Sequence, residues 1–196
     1  ADALARFLRL RVAWQERELS KLAKGTIMFL DEPYLSSVGS AFVSIDKEKA
    51  ISWLNEVMKG IRGLKGVHCC GNTDWSIILA SSADILNFDA YDYAQTISLY
   101  PDEARAFLKR GGVIAWGIVP TREDSVTGET VSSLVDRLEE SIEMLAEKGF
   151  LHRDLVERSL ITPACGLATL SEGAAEHALE LLAGVSRRLR TKYNLG

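Results

Sequence analysis

Nitrogen and sulfur metal donors are scarce in this chain, with three cysteines and three histidines among 196 residues. Two of the cysteines adjoin a histidine in GVHCCGNTDW, residues 66–75, between a short apolar run and a Gly-Asn turn. In an extended segment, residues two apart project to the same side. His68 and Cys70 therefore point together, and Cys69 points the other way, into strand–helix packing. Imidazole and thiolate are both favoured zinc donors, so an H-x-C pair at a strand end is a two-tooth chelate. The bland alternative is a buried strand end with two inert thiols. Cys165, in TPACGL, tips the balance. It stands at the end of the last predicted strand, before a glycine and a helix, after the polar Thr162 and a proline that limits helical continuation. A His-Cys-Cys set with an open fourth position is the arrangement expected of catalytic zinc. The spacing predicts one Zn2+ held by His68, Cys70 and Cys165.

Two acidic sites adjoin predicted strand ends. Asp89, in LNFDAY, is a candidate oxygen ligand, with capping of the following turn as its alternative, a role open to Asp92 as well. Asp31 and Glu32, in FLDEPYL, form an acidic pair with Pro33 ending the strand. They make either a solvated turn or a seat for a cationic group such as an amine. GLAT and GGVIAWG lack the spacing of phosphate-binding loops. His152 and His177 fall in helical contexts and read as surface residues, and Trp53 and Trp75 as core or pocket wall.

The elements that must position these residues alternate. Helices are predicted over 3–23, 46–62, 73–82, 93–110 with a break near Pro101, 127–149 and 171–193, the last with Ser171 as N-cap. Between them lie strands over 25–33, 63–71, 83–91, 111–120 and 159–167. Near-continuously apolar strands, each followed by a helix, imply a parallel sheet covered by helices, either doubly wound or part of a (β/α)8 barrel. Asp31, His68, Cys70, Asp89, Thr121 and Cys165 all sit at or just past carboxyl ends of strands, which converge on one mouth in a barrel. Five strands cannot close a barrel of eight. The chain reads as a single domain over 1–196, an incomplete TIM-type barrel.

Composition narrows the classes further. The chain is 47% hydrophobic and 26% charged, with a formal net charge of −4, which gives no phosphate-tracking surface for nucleic acid. No apolar run is long enough to span a membrane, and the opening stretch is amphipathic rather than a signal peptide. An odd, small cysteine count argues against a disulfide scaffold and for a reduced, cytoplasmic protein. The start without Met, directly in a helix, points to a partial product. Open barrel edges are a liability, so self-association or a missing N-terminal barrel half is expected as partner.

The ordered segments LDEPYL, HCCG, ADILNFD and TPACGL are similar to the C-terminal barrel of cobalamin-independent methionine synthase. More broadly they resemble the zinc methyltransferases related to uroporphyrinogen decarboxylase. The resemblance implies a (β/α)8 barrel of which this chain holds about the last five βα units, the fourth strand to the eighth. It implies zinc on His68, Cys70, Asp89 and Cys165, and Asp31 holding the amino group of homocysteine. The implied activity moves a methyl group to a thiol, from a methylcorrinoid protein or methyltetrahydrofolate. Two departures stand out. Asp89 is one methylene shorter than the family's usual glutamate. AWGIVPT puts Gly117 and Val119 where the family carries an Asp-x-His that helps protonate folate, which favours a corrinoid donor. The alternatives are a non-catalytic metal-binding fragment or subunit, and a uroporphyrinogen-decarboxylase-like enzyme, a class that needs no H-x-C…C zinc set.

Overall fold

Apolar runs separated by amphipathic stretches give the expected βα succession. A computed structural model describes residues 1–38 and 45–195. In chain order the elements are α1 (Asp2–Leu19), β1 (Ile27–Asp31), α2 (Lys47–Met58), β2 (Leu64–Cys69), α3 (Ser76–Ala80), β3 (Ile85–Phe88) and α4 (Ala90–Tyr93). They continue with α5 (Pro101–Lys109), β4 (Val113–Val119), α6 (Glu123–Val126), α7 (Val131–Ala146), α8 (His152–Glu157), β5 (Ser159–Pro163) and α9 (Glu172–Tyr193). The protein is α/β, with a parallel five-stranded sheet in sequential order. Among the described residues, no helix is long and apolar enough to cross a membrane.

Each predicted strand is present but shorter, because turn residues trim its ends. Pro33 opens a 3-10 turn, Pro33–Ser37, directly after β1. The helix expected over 93–110 is instead a 3-10 stretch at Ala94–Leu99 followed by α5, with the short α4 ending at Tyr93 just before them. Pro101 begins α5, where its missing N–H costs nothing. The 127–149 helix starts late, because Thr130 and Ser133 form a reciprocal cap at its N-terminus. Ser171 caps α9 as expected, accepting from the Ala174 amide.

Contacts gather into two units, 1–86 with 102–112, and 87–101 with 113–196, so the division falls inside β3. In the first unit, α2 buries Ala50, Leu54, Val57 and Met58, one stripe of the helix. β1 and β2 pair in parallel, with Phe29 beside Gly66 and Asp31 beside His68. The ring of Phe29 covers Gly66, where a Cβ would lie 2.3 Å from it. Val67 and Cys69 are fully buried, whereas Ile27, Phe29 and Leu64 stay 50%, 41% and 49% exposed.

The second unit pairs β4 with β5, also in parallel, with an irregularity between Gly117 and Val119. Phe88 and Trp116 pack as tilted rings 5.6 Å apart. The Trp116 indole donates to the Ser159 hydroxyl at 2.8 Å. α7 contributes Leu134, Val135, Leu138, Ile142 and Leu145 to the core, and α9 contributes Ala178, Leu181, Val185 and Leu189.

One buried carboxylate fastens the first unit. Glu16 on α1, only 4% exposed, accepts from the amides of Arg62 and Gly63 at 2.8 and 2.7 Å and from the Thr26 hydroxyl at 2.8 Å. It thereby ties α1 to the approaches of both β1 and β2. Burial alone would raise its pKa, but these three donors outweigh burial and hold the carboxyl below its ordinary range. The stabilisation is therefore fully present above the unfolded pKa of about 4.3 and is lost as pH falls through the lower folded value. Glu16→Gln should cost about 1.5–3 kcal/mol in urea unfolding at neutral pH, and the difference from wild type should shrink below about pH 4. An equal deficit at pH 7 and pH 3 would exclude the charge as the cause.

Candidate metal centre

The carboxyl ends of the strands carry the candidate side chains. In the first unit, the register of β1 on β2 sets Asp31 directly beside His68, and partners in register project from the same face of a sheet. The Glu32 amide continues the ladder by donating to the His68 carbonyl at 2.8 Å, which fixes the backbone of both tips. His68 is half-buried and Asp31 exposed. Cys70 follows the last residue of β2 and is half-buried, whereas Cys69 is fully buried. The Cys69 thiol donates to the Gly71 carbonyl at 3.4 Å, and burial pushes its pKa up. Strand alternation thus leaves Cys69 a protonated packing group.

In the second unit, β5 ends at Pro163, and the Ala164 amide donates to the Val119 carbonyl at 2.8 Å. Cys165 lies in the bend beyond, exposed. Asp89 caps α4, accepting from the Asp92 amide at 3.0 Å. Burial raises its pKa, partly offset by the amides of Asp92 and Tyr91. Asp92 does not cap in turn but pairs with Arg122 at 2.8 Å.

The donor atoms of His68, Cys70 and Cys165 all lie within 4.8 Å of one another. Two sulfurs on one zinc, each at about 2.3 Å, stand roughly 3.8 Å apart in a tetrahedron. The nitrogen–sulfur–sulfur set therefore matches the ion in donor type, and its spread is close to the scale of one coordination sphere. No disulfide joins the cysteines. Asp89 is not part of the group, nor are His152, which stacks near Tyr193, and His177, which lies 3.9 Å from Glu180.

Two residues near the tips have packing roles that the sequence does not reveal. Asn87 donates through one amide nitrogen to the Ala115 carbonyl at 3.0 Å and the Thr162 hydroxyl at 2.8 Å, bridging β3 to both β4 and β5. Its signal was an amide inside an otherwise apolar strand. Gly117 is sterically required: a Cβ there would lie 2.4 Å from the Phe88 carbonyl oxygen and 2.8 Å from Ala164 Cα. No side chain, acidic or otherwise, fits that point of β4.

No protein-family model matches the chain, and a search of curated proteins finds no relative.

Asparagine caps a helix as well as aspartate does, so Asp89→Asn separates capping from ligation. Its thermal stability and metal-ion affinity should both match wild type, measured by calorimetry and by competition with a chromogenic chelator. A loss of affinity of about ten-fold or more would make Asp89 a ligand. Gly117→Ala should lower unfolding free energy by about 1–3 kcal/mol, because backbone on two sides cannot yield.

Proposed function

We propose that this chain carries the zinc site of a thiol methyltransferase, with His68, Cys70 and Cys165 as protein ligands. The observation that carries the reading is the convergence of one imidazole and two thiols from segments almost a hundred residues apart. Three protein ligands leave a tetrahedral ion one open position. When bound, zinc supplies the Lewis acidity that lets a substrate thiol lose its proton near neutral pH.

The remaining chemistry falls to the chain's own residues. Asp31, exposed and in register with His68, seats the ammonium group of an amino-acid thiol of the homocysteine kind. A sulfonate-bearing thiol would be repelled there. The closed space at Gly117 favours a donor that needs no protein acid at this strand, so a methylcorrinoid is the better candidate than methyltetrahydrofolate. The fold in this reading is the last five units of a (β/α)8 barrel. Support for a covering partner, a second copy or further βα units, comes from the exposed apolar residues Ile27, Phe29 and Leu64 on β1 and β2.

Metal analysis of purified protein should find about one zinc per chain, with marked loss in both His68→Ala and Cys165→Ser. Equal zinc in wild type and both variants would sink the assignment. Homocysteine methylation should then be assayed with methylcobalamin and with methyltetrahydrofolate. Turnover with the former, and a KM for homocysteine raised about ten-fold or more in Asp31→Asn, are the expected results. Zinc binding without turnover from either donor would favour a non-catalytic metal-binding role.

A further inference from the structure

Away from the donor group, the first unit holds a cavity of about 390 Å3 between α1, the Pro33–Ser37 turn and α2. That is within the range of small-molecule sites. Its walls are almost wholly apolar, with Leu8 from α1, Leu35 from the turn and Leu54 from α2, and two aromatic rings, Tyr34 and Trp53. Glu32 is the one charged side chain among the described residues that line it. Among the described residues, its carboxylate has neither a hydrogen bond nor an ion pair, in contrast to Glu16 and Glu56, which are held by several donors.

An apolar cavity with a single carboxylate selects for charge. A neutral apolar occupant would strip water from Glu32 and return nothing for it. An anionic occupant would add repulsion to that cost. A cation satisfies the carboxylate more strongly than a neutral donor does, because the hydrogen bond is charge-assisted on both sides, and ring faces attract positive charge as well. Trp53 already does so on the exterior, where Lys49 Nζ lies 5.4 Å from its ring centre, although Lys49 does not line the cavity. The Trp53 indole is held in place by a hydrogen bond to Asp2 at 2.6 Å. Burial, and then the charge of Asp31, push the Glu32 carboxyl above its ordinary range. A bound ammonium would reverse that by favouring the ionised form.

We infer that this cavity is a binding site for an alkylammonium ion, its ammonium on Glu32 and its apolar chain against Leu8, Leu35 and Leu54. The site is separate from the zinc reading and does not depend on it. Aliphatic monoamines are the ligand class, and their chain length is bounded by the cavity.

Isothermal titration of the intact protein at neutral pH with octylammonium chloride, 1-octanol and sodium octanoate tests this directly. Octylammonium should bind about ten-fold or more tighter than octanol, and octanoate most weakly. Glu32→Gln should erase the preference for octylammonium over octanol without weakening octanol. The rank order in wild type stands even if that variant folds poorly, which its circular dichroism would show. Octanol binding as tightly as octylammonium, no octylammonium binding at all, or unchanged octylammonium affinity in a folded Glu32→Gln would each overturn the inference.

Discussion

Parallel strand pairing is the constraint on which the candidate chemistry depends. An antiparallel neighbour would send successive strand ends to opposite edges, whereas parallel pairing brings carboxyl ends to one edge. The register of β1 on β2 then decides which tip residues are neighbours. Asp31 meets His68 because Ile27 is paired with Leu64, four residues earlier on each strand. A one-residue slip would turn Asp31 to the other face and break the pairing. Phe29 is paired with Gly66 in this register, and its ring lies over the glycine, so that a Cβ at 66 would push the ring aside. Glu16 holds the same two strands at their other ends, by gripping Thr26 before β1 and Arg62 and Gly63 before β2. The tip geometry is thus set partly from the far side of the unit.

The second unit uses close backbone approach where the first uses a side-chain anchor. Gly117 lets the Phe88 carbonyl and Ala164 come within distances that a Cβ would forbid. Asn87 then spans the three strands through Ala115 and Thr162. An acid at 117 and this packing are mutually exclusive. The absence of an acid at that point is therefore tied to how β3, β4 and the segment after β5 fit together. It is a structural commitment with a chemical consequence.

Much of this was legible in the sequence, and the physical reason differs by element. Strands and long helices were found because their periodicity is a local property: the stripe of α2, the cap at Ser171 and the alternation around Cys69 need no knowledge of the rest of the chain. The ends of helices were less legible. The Thr130–Ser133 cap and the helix start at Pro101 override an apolar pattern that runs through them. For Asp89 both roles were open from its position, and the structure has it capping α4. The grip of Glu16 was invisible, because its three partners lie ten or more residues away and nothing in an amphipathic helix distinguishes a buried glutamate from a solvated one.

The Asp-Glu pair after β1 shows how one chain position can serve two chemistries. Asp31 and Glu32 are neighbours of the same charge, yet their surroundings differ sharply. Asp31 is the last residue of the strand, exposed and beside His68. Glu32 is the first residue past it, and its side chain lines an apolar cavity against α1 and α2. The charge of Asp31 contributes to holding the Glu32 carboxyl above its ordinary range, so the two are coupled across a single peptide bond. A cation on either carboxylate relieves the other. Occupation of the Glu32 cavity by an ammonium ion would thus lower the local negative potential at Asp31 and weaken its hold on a second cation. That coupling is the Coulomb repulsion of two like charges on adjacent residues, and it needs no change in shape.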